Sequence, residues 1–172
     1  MKIKIITISI LFAMFCTPII YSQEHDHHTH AHLLNEIGLS SGAFYAFGHQ
    51  EWGSGIHIHY FRTLSPHSKW ALGGSIEQAW IDGSHFNLSV GAKYQLFDKM
   101  SIAAFPGITF FSHNEADIHN VPKHTKDAFS LHFEMMYDLL HWEKFHFGAV
   151  IDYSLTKKDS HAMIGIHAAF CF

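Results

Sequence analysis

The stretch that decides the fold is His85-Phe86-Asn87-Leu88-Ser89-Val90-Gly91-Ala92-Lys93-Tyr94-Gln95-Leu96. Phe86, Leu88, Val90, Ala92, Tyr94 and Leu96 share one parity; His85, Asn87, Ser89, Gly91, Lys93 and Gln95 share the other. Successive side chains of a strand point to opposite faces, so the segment reads as a strand with one apolar and one polar side. A helix would scatter both sets around its circumference.

The same period of two marks seven other segments, though less cleanly. Ile37, Leu39, Ala43, Tyr45 and Phe47 alternate with Gly38, Ser40, Gly42 and Ala46, while Ser41 and Phe44 break the rule. Ile56, Ile58 and Tyr60 alternate with His57 and His59, and Trp70, Leu72, Ile76 and Trp80 with Ala71, Gly73, Ser75 and Glu77. From Ile102 to Phe111 the pattern blurs, and Pro106 predicts a bulge or bend there. Phe129 to Leu139, Phe145 to Leu155 and Ile164 to Phe172 complete the set. Turn signals separate these segments: Gly48-His49-Gln50-Glu51, Ser65-Pro66-His67-Ser68, Asp82-Gly83-Ser84, Asp98-Lys99, His141-Trp142-Glu143-Lys144 and Lys157-Lys158-Asp159. One connection, His113 to Lys126, is longer. Eight strands joined by short links predict an all-β fold, an antiparallel up-and-down barrel.

The polar face decides whether that barrel is soluble or inside out. It is made of Gly, Ser and Ala with isolated Glu77, Lys93, Glu134 and Asp152, whereas a water-facing surface carries many more Lys and Glu. Small residues and a few opposed charges suit the cramped interior of an eight-stranded barrel, which has room for side chains but not for an open pore. The apolar face is rich in aromatics toward the strand ends: Trp52, Tyr60, Trp70, Trp80, Phe86, Tyr94, Phe110, Phe129, Tyr137, Trp142, Phe145, Tyr153, Phe170 and Phe172. Aromatic girdles of that kind meet lipid headgroups in transmembrane barrels. With both termini on the periplasmic side, the longest connection would face outward, as such barrels prefer.

The start of the chain is a different kind of sequence. Lys2 and Lys4 precede an apolar run from Ile5 to Ile20, and Ser22-Gln23 lead into a strongly polar segment. That order describes a secretory signal peptide, and the run, with Pro18 inside it, is short for a spanning helix of about 20 residues. Residues 1–22 are expected to be the signal, 23–35 a His-rich flexible leader and 36–172 the barrel. Losing Lys2 and Lys4 leaves nine basic against fifteen acidic side chains, a net charge of −6 with His neutral, which argues against a nucleic-acid partner. Cys171 is the only cysteine after the signal, so an internal disulfide is excluded and a monomer is expected.

All eighteen histidines follow the signal. The leader, Glu24-His25-Asp26-His27-His28-Thr29-His30-Ala31-His32, offers imidazoles and carboxylates to Zn, Ni or Cu ions, with His25, His27, His28, His30 and His32 as candidate ligands. Cleavage after Ser22 would also place His25 third in the mature chain, a square-planar Cu(II) or Ni(II) site that cyclisation of Gln23 would abolish. The alternative is a solvated leader with incidental affinity. By parity His57, His59, His85, His132, His146, His161 and His167 point inward, where Glu77, Glu134 and Asp152 share the space. An interior hydrogen-bond network is the favoured reading; His57 and His59 chelating one ion with a third ligand from a neighbouring strand is the other. His113, His119 and His124 accompany Glu115 and Asp117 in the long connection, as a surface metal site or a polar loop.

Taken together, the segments from Asn35 onward resemble small eight-stranded outer-membrane barrel proteins, most closely the uncharacterised members of the Bacteroidota. The resemblance rests on Asn35-Glu36-Ile37-Gly38-Leu39, Gly55-Ile56-His57-Ile58-His59-Tyr60, Pro106-Gly107-Ile108-Thr109-Phe110 and Gly165-Ile166-His167. It implies the fold and an outer-membrane location, with lipid as surroundings, and assigns no activity. The terminal Phe170-Cys171-Phe172 resembles the signal that barrel-assembly machinery reads on such proteins, although His167 stands where that signal has its glycine. The expectation is a non-enzymatic outer-membrane barrel with a metal-binding leader, serving divalent-metal homeostasis and requiring no cofactor. The alternatives are a structural or adhesive barrel without a metal role, and a lipid-modifying enzyme built on Ser112-His113 near Glu115.

Overall fold

In the computed structural model, residues 34–48, 50–81, 83–112, 126–157 and 160–172 are described. They form eight strands: β1 (Asn35–Ala46), β2 (Glu51–Thr63), β3 (Trp70–Trp80), β4 (Ser84–Phe97), β5 (Met100–Ser112), β6 (Lys126–Trp142), β7 (Phe145–Thr156) and β8 (Ser160–Cys171). Each strand pairs antiparallel with the next, and β8 returns to β1, so the sheet closes in the simple up-and-down order expected from the short links. Closure removes both sheet edges, which leaves no row of unpaired backbone groups to satisfy. Strands of 11 to 17 residues meet or exceed the roughly 9–11 that a tilted strand needs to cross a bilayer.

An even strand number places the chain's entry and exit on one rim. There Asn35 and Phe172 exchange backbone hydrogen bonds (3.0 and 2.8 Å), and the Asn35 side-chain amide donates to the Phe172 carbonyl. Tyr60 and Arg62 both donate to Asn35 Oδ1, tying the seam to β2. The same rim carries the links 64–69, 98–99 and 143–144, and the strand ends Ala46, Glu51, Trp80, Ser84, Ser112, Lys126, Thr156 and Ser160 lie at the opposite rim. In two of the tight links Gln50 (φ 58°) and Glu143 (φ 42°) adopt the left-handed conformation, and Gly83 (φ 110°) supplies it in a third.

The outer face carries Leu39, Ile58, Ile76, Leu88, Val90, Ile108, Ile164 and Ile166 around the middle of the strands, all exposed. Aromatics flank this aliphatic zone at both rims: Tyr60, Trp70, Phe97, Trp142, Phe145 and Phe172 on the terminal rim, and Phe47, Trp52, Trp80, Phe110, Phe129 and Tyr153 on the other. Some pair across strands, as Trp70 does with Tyr94 (4.7 Å) and Tyr45 with Trp52 (5.0 Å). An apolar belt between two aromatic girdles is the surface that a bilayer solvates and water does not.

Three expectations change. Phe44 and Ser41 keep the alternation rather than break it: Phe44 points inward and is wholly buried, while Ser41 faces out and donates to the Gly55 carbonyl at 3.2 Å. Residue type, not parity, misled there. Pro106 faces outward within β5, and the pairs on either side of it keep one register, so no bulge forms. A proline removes one donor from the ladder without adding a residue, so the register survives. The bulges lie instead at Gln95–Phe97 and Asp138–Leu140, beside two-residue links where the strands twist sharply. Finally, the interior is less uniformly polar than the Gly, Ser and Ala pattern implies. Phe61, Phe105, Ala71, Ala103 and Met136 form one apolar layer, and Phe44, Ile81, Ala79, Ala46 and Met163 another.

Candidate functional site

Between these apolar layers lies a cluster of histidines and carboxylates. His57, His59, His85, His132, His161 and His167 are all buried, and His146 is half-buried near the terminal rim. All seven point inward, as their parity predicts. Glu77, Glu134 and Asp152 are buried with them. The layers pack directly on the cluster. Phe61 lies 5.0 Å from the His59 ring, Phe105 5.8 Å from His57 and Phe44 5.3 Å from His161.

Backbone register brings the groups together. On β2, His57 pairs with Glu77 of β3 and His59 with Ser75, while β6 and β7 set Glu134 opposite Asp152. In a barrel this narrow, side chains from β2 and β6 then meet across the lumen. Glycines make the room. A Cβ on Gly38 would sit 2.2 Å from His59 Nε2 and 2.9 Å from His167 Nε2.

The cluster contains two arrangements of different character. In the first, His132 Nε2 lies 3.1 Å from Glu77 Oε2 and 3.2 Å from Asp152 Oδ1, and His161 Nε2 lies 3.2 Å from Glu77 Oε1. His132–Asp152 and His161–Glu77 are hydrogen bonds, whereas Glu77 Oε2 has no hydrogen-bond partner among the described residues. In the second, His57 Nδ1 is 3.5 Å from Glu134 Oε1 and 3.9 Å from Asp152 Oδ2, while His59 Nδ1 is 3.8 Å from Glu134 Oε2. Both nitrogens of His57 and of His59, both oxygens of Glu134 and Asp152 Oδ2 have no hydrogen-bond partner among the described residues. Nearby, Ser75 and Ser89 hydroxyls meet at 2.6 Å, and the Asn87 amide donates to Thr109 Oγ1 (2.8 Å) and Ser130 Oγ (2.6 Å). The hydrogen-bond network expected from the sequence is therefore present, but it leaves out the groups around His57, His59 and Glu134.

Toward the terminal rim, His59 Nε2 is 3.4 Å from Glu36 Oε1, and Glu36 forms an ion pair with Lys93. Lys93 also lies over the Phe61 ring, 4.9 Å from its centre. At that rim Asp138 Oδ2 holds His146 Nδ1 at 2.9 Å, the His141 ring lies tilted 4.0 Å from His146, and Cys171 Sγ is 3.5 Å from His146 Nε2. Neither Glu36, which closes the chain of charged groups, nor the Cys171 contact was anticipated; both depend on how side chains from different strands meet inside the barrel, which the sequence pattern does not reveal. Expected ligands His25, His27, His28, His30 and His32 lie outside the described residues. So do His113, His119, His124, Glu115 and Asp117; only Ser112 of the enzyme-like trio is described, exposed at the end of β5.

No protein-family model matches the chain, and no curated protein sequence matches it. Solved structures do. Neisserial surface protein A superposes with a TM-score of 0.54 at 7% identity, over 80% of this chain and 96% of that one. The N-terminal β-barrel domain of Pseudomonas aeruginosa OprF does so with a TM-score of 0.52 at 14% identity, over 81% and 98%. At such identities the likeness is one of fold, and the fold is the closed eight-stranded antiparallel barrel of outer-membrane proteins.

Proposed function

We propose that this chain is a non-enzymatic outer-membrane barrel that holds divalent transition-metal ions, with His25, His27, His28, His30 and His32 of the leader as the capture segment for Zn, Ni or Cu. The barrel anchors that segment in lipid, as a monomer inserted by assembly machinery that reads Phe172. Kinship with the Bacteroidota barrels, implied by the sequence motifs, belongs to the same reading. One observation carries it: the concentration of imidazole, five histidines within residues 25–32 joined to a barrel with six more buried inside. The buried groups lie between apolar layers, which supports a holding role over turnover of a diffusing substrate. Metal homeostasis is the process such a segment would serve.

The test titrates the folded mature protein in detergent with Zn(II), Ni(II) and Cu(II), beside a variant with all five leader histidines replaced by alanine. The intact chain is expected to bind more ions than the variant, the difference being the leader's share. Equal binding by the two proteins would overturn the leader's metal role and favour a structural or adhesive barrel.

A further inference from the structure

We infer that the lumen contains a built metal site, formed by His57, His59 and Glu134 with Asp152 at its edge, that takes one tetrahedral divalent ion such as Zn(II). It goes beyond the leader reading and does not need it.

The spacing carries the argument. Each of His57, His59 and Glu134 offers a ligand atom, and the three atoms lie within 4.8 Å of one another. The measured separations, 3.5, 3.8 and 3.9 Å, are too long for hydrogen bonds, whose donor and acceptor sit about 2.7–3.2 Å apart. A tetrahedral ion with ligand bonds of about 2.0–2.2 Å instead sets its ligand atoms roughly 3.3–3.6 Å apart. Side-chain shifts of up to about an ångström would bring these groups onto a common ion. The adjoining Glu77, His132 and His161 also offer three ligand atoms within 4.8 Å, but they stand closer, at 3.1–3.2 Å, and His161 is hydrogen-bonded to Glu77.

Partnership and charge point the same way. All four side chains are buried (His57 0%, His59 1%, Glu134 2%, Asp152 0%), and their facing polar atoms have no hydrogen-bond partner among the described residues. A buried carboxylate is costly unless it is paired or coordinates a metal. Lys93, the one Lys or Arg side chain ion-paired inside the described barrel, pairs with Glu36 rather than with Glu134 or Asp152. A divalent cation would balance those two carboxylates and take up the imidazole nitrogens at once. Histidine and carboxylate donors suit Zn(II), which has no geometric preference of its own and accepts a tetrahedron set by the protein. The third ligand comes from β6, across the lumen, rather than from a strand adjacent to β2. An ion there would brace opposite walls of the barrel.

The experiment uses the mature chain with all five leader histidines changed to alanine, refolded into detergent with or without Zn(II) and then washed with chelator. About one zinc retained per folded chain is expected, with a higher unfolding temperature than the metal-free protein. His59→Gln and Glu134→Gln should each lose the retained zinc, while His85→Gln should keep it. If those variants fail to fold, judged by heat-dependent electrophoretic mobility, refolding the parent chain with Co(II) decides instead. Intense visible d–d bands of tetrahedral Co(II) support the site. No retained zinc in the parent chain, or a weak octahedral Co(II) spectrum, overturns it. Failure of the leader titration leaves this outcome untouched, and the reverse also holds.

Discussion

At Gly38 a missing side chain is what allows the histidine cluster to exist. The Cβ of an alanine would fall 2.2 Å from His59 Nε2, and the imidazole has little room to retreat, because Phe61 and His167 pack against it at 5.0 and 5.3 Å. Gly38→Ala is therefore expected to destabilise the barrel by about 1–3 kcal/mol, the usual cost of overpacking. The measurement is equilibrium unfolding in a double-mutant cycle with His59→Ala. Removing the ring should abolish most of the Gly38→Ala penalty, since contacting residues couple. An unchanged penalty would mean that the clash lies elsewhere. At Gly165 the obstacle is the Ser41 backbone carbonyl, 2.2 Å from the built Cβ, so Gly165→Ala should cost more, with no side-chain truncation to rescue it. The seven inward histidines were legible in the sequence because parity alone fixes which side a strand residue faces. Which of their nitrogens find a hydrogen-bond partner, as His132 does in Asp152 and His161 in Glu77, and which do not, as in His57 and His59, was not, because that depends on which strands oppose each other across the lumen.

The strands differ in how openly they declare themselves. In its sequence β4 alternates from Phe86 to Leu96, and its burial alternates from His85 to Val90, whereas β1 hid its pattern because Phe44 fills the interior and Ser41 turns its hydroxyl back onto the Gly55 carbonyl. Polarity stands in for direction only while the lumen is polar, and the two apolar layers break that equivalence at Phe44, Phe61 and Phe105. Strand β8 poses a separate question. Phe172 joins β1 through its backbone, and its ring lies outward, 5.9 Å from Phe170, which in turn packs on Phe145 at 4.9 Å. Phe172→Ala keeps every ladder hydrogen bond and removes only the ring. Refolding in detergent should proceed with little change in stability, while the amount of folded barrel in the outer membrane of expressing cells should fall several-fold. Normal assembly of the variant would remove Phe172 from the proposed role with the assembly machinery.

At the scale of the whole molecule, the belt makes a claim about depth. Val90 lies midway along β4, faces outward and is 67% exposed, while Ser112 ends β5 on the same outer face at the rim. In water, a lysine at either position would be a surface substitution of little consequence. In a bilayer the two differ, because a charge at the midplane must be dehydrated or must drag water and headgroups inward, whereas one at the rim already sits among them. The expected cost is about 2–4 kcal/mol for Val90→Lys and about 0–1 kcal/mol for Ser112→Lys. Reversible unfolding in lipid vesicles measures both, and the comparison cancels whatever the lysine does to strand propensity. The aromatic girdles sharpen the expectation: Trp80 and Phe110 border the aliphatic zone on the Ser112 side, so the cost should change between their level and Val90. A Val90→Lys barrel no less stable than Ser112→Lys would mean that the apolar face is not embedded. The lumen would then have to be reconsidered as the core of a soluble protein, with its buried charges still needing partners.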